Sequence, residues 1–166
     1  FPASNRFYIV DEAVKMLLRV SPENQNAKTM SYLEQDVTIR WTTHEWLRYI
    51  RGLEAGGAKV GHYRLADANY GFTGSPNPEI VAAWYSAILK TDFEGFDTKV
   101  YEEKVESFLT TVGRRKFIVP MYASMLESDE KRQAWAKEIY AKARPSYHPL
   151  SQQTLDQLFT DYEQGL

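Results

Sequence analysis

Hydrophobic positions recur along this chain at intervals of three and four residues, the spacing that gathers them on one face of an α-helix. Val10, Ala13, Val14, Leu17 and Leu18 form one such stripe, ended by Ser21-Pro22, and predict a helix over 10–20. No run of β-branched residues alternates cleanly over five or more positions, so the pattern predicts an all-α chain with no sheet. A polar loop is expected over 23–29 and a short helix or turn over 31–36. Only Val37-Thr38-Ile39-Arg40-Trp41 has an extended look.

Thr42 stands three residues before Glu45, where the two can exchange side-chain and backbone hydrogen bonds as a capping box. That predicts a helix to about Leu53, with Trp46, Leu47, Ile50 and Leu53 facing inward and Gly56-Gly57 past its end. A helix over 60–70 is closed by Gly71. Asn77-Pro78-Glu79 opens another, with Asn77 as N-cap, Pro78 at the first helical position and Glu79 near the positive end of the dipole. Its inner face is Ile80, Trp84, Ala87 and Ile88. After a break at 93–95, a helix is predicted over 97–111, ended by Gly113, and another over 115–127, interrupted or started near Pro120. Ser128 is expected to cap a helix reaching Arg144, and Ser151 to cap the last, with Leu155, Leu158, Phe159 and Tyr162 buried. Roughly seven to nine helices with short links pack as antiparallel pairs in a compact α-α superhelix, an armadillo-like stack, although no repeat of fixed period is visible.

Composition narrows the class. A chain of 166 residues, 43% hydrophobic and 14% aromatic, fits one globular domain over 1–166 that needs neither disulfides nor a structural metal. The 22 acidic and 20 basic residues are dispersed and sum to −2, which leaves no basic stripe for nucleic acid. No window approaches the roughly 18 apolar residues of a membrane span. The expectation is a soluble protein, cytoplasmic or periplasmic, with no nucleic acid or membrane partner. With no cysteine, thiolate metal sites and cysteine nucleophiles are excluded. The chain starts at Phe1-Pro2 without Met, as an excised piece of a longer protein would.

The stretch "HEWLR" at 44–48 begins like the zinc-peptidase signature H-E-x-x-H, but Arg48 fills the second ligand position, and a guanidinium has donors only. Asp67 stands nineteen positions later, where such enzymes place a third ligand; one His and one Asp still leave a metal two-coordinate. The capped structural helix is the simpler account. No nucleophile elbow, P-loop or dinucleotide fingerprint occurs, and pairs such as Glu102-Glu103 and Asp129-Glu130 read as solvated helix faces. One cluster remains, "GRRKF" at 113–117. It either complements the negative end of the preceding helix or forms an anion site, because an Arg fork binds a carboxylate bidentately and a nearby Lys adds a second charge.

Three markers then stand in order: Asn77, Glu79 and Ile80 with Trp84 following; "GRRKF" with Pro120 after it; and His148-Pro149. In this order and at these intervals, over about 11–155, the chain resembles the C-terminal helical domain of leukotriene A(4) hydrolase and related gluzincin-type zinc aminopeptidases. The resemblance implies a helical layer packed on the catalytic domain of the same parent chain and zinc-assisted peptide hydrolysis by that parent. By motif position, Arg114 and Lys116 correspond to the pair that holds the carboxylate of a peptide or other carboxylate-bearing substrate. Arg115 falls on the variable position. The family's zinc site and exopeptidase loop have no counterpart in this sequence, so the resemblance implies no catalytic residue and no metal ligand here, with zinc belonging to the parent's catalytic domain. Two alternatives stay open: a stand-alone helical adaptor for a protein partner, and an oligomerisation module, neither catalytic.

Overall fold

The computed structural model describes residues 3–23, 38–91 and 98–165. The regular elements among them are all helical: α1 (Ala3–Leu18), α2 (Thr43–Ala55), α3 (Val60–Tyr70), α4 (Pro78–Ile88), α5 (Thr98–Thr111), α6 (Arg115–Leu126), α7 (Glu130–Ala143) and α8 (Pro149–Gln164). Short 3-10 turns follow at Phe72–Gly74 and Arg144–Ser146. The expected all-α class is met.

Side-chain bonds at the helix ends fix the directions. Asn77, the N-cap of α4, donates from Nδ2 to Thr43 Oγ1 in the first turn of α2 (2.9 Å). Lys116 in the first turn of α6 pairs with Glu79 in the first turn of α4. Ser151 in the first turn of α8 donates to the Gly113 carbonyl just ahead of α6 (3.3 Å). At the opposite ends, Lys90 past α4 meets Glu54 in the last turn of α2 (2.7 Å), and Ser128 past α6 donates to the Leu89 carbonyl past α4. Start therefore meets start and end meets end. α2, α4, α6 and α8 run parallel in one row, with α1 packed on the outer side of α2. α3, α5 and α7 carry the chain back between them, and α5 packs on α7.

The centre of the row is α4, apolar on nearly every side, with Ile80, Val81, Ala82, Trp84, Tyr85, Ala87 and Ile88 buried. Trp84 is fully enclosed; its ring lies 4.7 Å from Phe72 and 5.5 Å from Tyr63, and its Nε1 donates to Thr73 Oγ1 (3.0 Å). Truncating a core Trp to Ala costs about 3–5 kcal/mol. The C-terminal end of α4 is also closed: the Leu89 carbonyl accepts from Arg132 Nη1 (3.0 Å) as well as from Ser128, satisfying a carbonyl that has no partner within its own helix.

Several local expectations are corrected. α1 begins at Ala3, earlier than its apolar stripe. Residues 38–41 are a turn closed by Trp41 N–H to the Thr38 carbonyl (3.0 Å), not an extended run. α6 continues through Pro120; the bond that proline forgoes is to the Lys116 carbonyl, in an exposed first turn where water can replace it. Asp129, not Ser128, caps α7, its Oδ1 accepting from Arg132 N–H (2.9 Å). α8 starts at Pro149 with His148 as N-cap, so Ser151 lies buried inside it. The expected turn over 31–36 and break over 93–95 lie outside the described residues, as does nearly all of the loop over 23–29.

Candidate functional site

The segment "GRRKF" forms the junction between α5 and α6. Arg114 is the N-cap of α6, in extended backbone geometry (φ −73°, ψ 115°), and Arg115 opens the helix. Phe117 is buried and fixes a ring on which two cations rest: Arg114 Cζ lies 5.5 Å from its centroid and Lys116 Nζ 4.8 Å. The two residues singled out by motif are thus brought together on one ring. They are not equivalent. Lys116 is ion-paired with Glu79, whereas Arg114 has no carboxylate partner among the described residues.

Because α2, α4 and α6 are parallel, the positive ends of their dipoles share this edge. Glu79 senses the whole group: its carboxyl is held below the usual range first by the hydrogen bond from Lys116 and the charge of that ammonium, then by the charges of Arg114 and His44. The edge closes one end of a groove of about 540 Å³. Its walls come from Leu47 and Ile50 of α2, Ala82, Ala83 and Ser86 of α4, and Phe117, Pro120 and Ala123 of α6. On each helix the lining positions recur every three or four residues, so three parallel faces make one trough with the Glu54–Lys90 pair at its far end. Ser86 Oγ is buried with no hydrogen-bond partner among the described residues. Sequence reasoning singled out Arg114 and Lys116 but not the pairing of Lys116 with Glu79, which it read as complementing a helix dipole; the pairing spans 37 residues and requires α4 and α6 to be neighbours.

A family model described as "Leukotriene A4 hydrolase, C-terminal" matches residues 41–159. The chain belongs to the leukotriene A4 hydrolase C-terminal family. Leucine aminopeptidase 2 of Yarrowia lipolytica is 40% identical over 84 residues, covering 49% of this chain and 11% of that protein. Aminopeptidase B is 25% identical over 122 residues in Mus musculus and 26% over 121 in Homo sapiens, each match covering 72% of this chain and 18% of the relative. The chain therefore spans less than a fifth of the length of these relatives. The region matched to the leukotriene A4 hydrolase C-terminal family takes in the groove, the basic edge and most of α8, while α1 precedes it.

Zinc, which the leukotriene A4 hydrolase family implies for a catalytic domain, does not suit the donors offered here. Arg48 forks onto Asp11 with Nε to Oδ1 and Nη2 to Oδ2, both 2.7 Å. Glu45 is buried in the capping box, accepting from the Thr42 amide (2.6 Å) and hydroxyl (2.9 Å). Asp67 takes the Thr73 amide (2.8 Å) on one oxygen and its hydroxyl (2.6 Å) on the other. His44 is exposed in the first turn of α2. Among the described residues no three His, Asp or Glu side chains converge as metal ligands, and no helix is long and apolar enough to cross a membrane.

Proposed function

We propose that residues 1–166 form the C-terminal helical domain of a zinc aminopeptidase, in which Arg114 and Lys116 anchor the carboxylate of a peptide or other carboxylate-bearing substrate. The partner surface is the catalytic domain of the same parent chain, a reading supported by the short span of this chain within its aminopeptidase relatives. The carrying observation is the state of Arg114: an exposed guanidinium, braced on the Phe117 ring, with no carboxylate partner among the described residues. A planar fork in that state matches a carboxylate in two parallel hydrogen bonds. Lys116 adds charge from the first turn of α6, and the aligned helix starts favour an anion at the same edge.

Anchoring one end of a substrate fixes which bond is presented elsewhere in the cleft, and its value lies in orientation as well as affinity. In the full-length protein, Arg114→Ala is expected to raise KM for peptides with a free C-terminus about tenfold to a hundredfold, the worth of a hydrogen bond to a charged group. Amide-capped peptides should be nearly unaffected. Equal losses on both would overturn the anchor. The adaptor and oligomerisation readings call for an apolar face without a basic edge, and this face carries one.

A further inference from the structure

We propose that Glu79 is a built-in competitor for the anchor: it occupies Lys116 until a substrate carboxylate displaces it, making Arg114 the first contact and Lys116 the second. The inference rests on the carboxylate-anchor reading and assigns within it a specificity-determining role to a residue outside the "GRRKF" segment.

Occupancy at the basic edge is unequal. Two cations share the Phe117 ring, yet among the described residues only Lys116 is bonded to a carboxylate. Glu79 is held at a fixed place, since it follows Pro78 in the first turn of α4 and its amide donates to Asn77 Oδ1 (3.0 Å). Its backbone is therefore anchored at the edge. The pair itself is exchangeable: the side chains are 46% and 36% exposed, and ion pairs so placed are weak. An ammonium has three rotatable donors, so Lys116 can turn from one carboxylate to another without the geometric penalty a guanidinium fork would meet.

Charge gives the direction of the effect. With Glu79 ionised, Arg114, Lys116 and Glu79 sum to +1; with Gln at that position they sum to +2. An incoming carboxylate must approach Glu79 as well as the two cations, and like charges around one ammonium repel. Glu79 thus weakens the hold on free carboxylates while leaving uncharged ends untouched, and it weakens the hold on the carboxylate of a departing product equally.

The test uses the full-length protein and one tripeptide in two forms, free acid and C-terminal amide, with kcat and KM measured for the parent protein and for Glu79→Gln, Glu79→Asp, Arg114→Ala, Lys116→Met and the Glu79→Gln/Lys116→Met double variant. Glu79→Gln is expected to lower KM for the acid about three- to fivefold, the scale of an exposed ion pair, with kcat and the KM of the amide unchanged. Glu79→Asp keeps the charge and should stay near the parent protein. The gain should vanish in the Lys116→Met background. A higher KM for the acid in Glu79→Gln would show that Glu79 orients Lys116 rather than competing for it. No change, or an equal change on acid and amide, would likewise overturn the competitor role. Arg114→Ala separates the two ideas: if it discriminates acid from amide while Glu79→Gln does not, the anchor stands and the competitor falls; if it does not discriminate, the anchor itself falls.

Discussion

Arg48 grips Asp11 through two parallel bonds of 2.7 Å, tying the first turns of α2 to the middle of α1 across 37 residues of sequence. The guanidinium also lies 5.0 Å from the centre of the Phe7 ring. Its hydrogen bond is the leading reason that the Asp11 carboxyl is held below the usual range. The residue that spoils the zinc signature is thus a clamp on the first helix.

The clamp is nearly half exposed on both partners, which limits its worth. Arg48→Ala is expected to lower the thermal midpoint by no more than about 4 °C. Arg48→Lys should recover less than half of that, because an ammonium cannot reproduce the fork. Calorimetry on both variants checks this; full recovery by lysine would mean that charge alone matters.

Asp156 sets an acid limit on the end of the fold. It accepts from Arg144 Nε (2.9 Å) and Nη2 (2.6 Å) and from the Tyr140 hydroxyl (2.5 Å). The Arg144 bonds, then the Tyr140 bond, bring its carboxyl down from 3.8 to about 2. A carboxyl depressed on folding contributes stability that is complete above its unfolded value and is lost as pH falls through its folded value. The midpoint difference between the parent protein and Asp156→Asn should therefore hold steady from about pH 7 to 5 and shrink between about pH 4 and 2. A difference that grows in that acid window would contradict the assignment.

What could be read from sequence divides along local and long-range chemistry. Asn77-Pro78-Glu79 and the Thr42/Glu45 box were legible because a cap and its partner lie within three residues. Ser128 and Ser151 misled for the opposite reason: their hydroxyls go to the Leu89 and Gly113 carbonyls, 39 and 38 residues away, and neighbouring Asp129 and His148 take the caps. Arg114 and Lys116 were legible as a motif. That Lys116 is held by Glu79 while Arg114 has no carboxylate partner among the described residues follows only from the parallel row, which no local pattern encodes.

Gly61 marks a junction where backbone touches backbone. A Cβ built there would stand 1.8 Å from the Pro22 carbonyl oxygen, and main chain cannot swing aside as a long side chain can. The same junction is tied by His62, whose Nδ1 accepts from Lys59 N–H (2.9 Å), leaving Nε2 to donate to the Val20 carbonyl (3.0 Å). Gly61→Ala should destabilise the protein by about 1–3 kcal/mol by forcing the two segments apart. At Gly52 the nearest atom is a Val14 side-chain carbon at 2.9 Å rather than main chain, so Gly52→Ala should cost less. Denaturant midpoints for the two variants, compared directly, decide the order.

Ser86 offers the reverse case, a substitution expected to stabilise. Its hydroxyl is buried beside the groove without a partner among the described residues, and an unmade hydrogen bond of this kind costs about 1–3 kcal/mol. It also sits within α4, in its last turn, where alanine is the better helix former. Ser86→Ala should therefore raise the stability of the protein by about 1 kcal/mol, read as a higher denaturant midpoint with an unchanged slope. The position lies on the groove wall between the Glu79–Lys116 pair and the Glu54–Lys90 pair, so the same variant reports on the trough. A hydroxyl that serves no ligand leaves peptide KM unchanged on removal, and stability then rises without cost. A lower stability in Ser86→Ala would mean that the hydroxyl is satisfied in solution and that the wall is wetter than its apolar lining indicates.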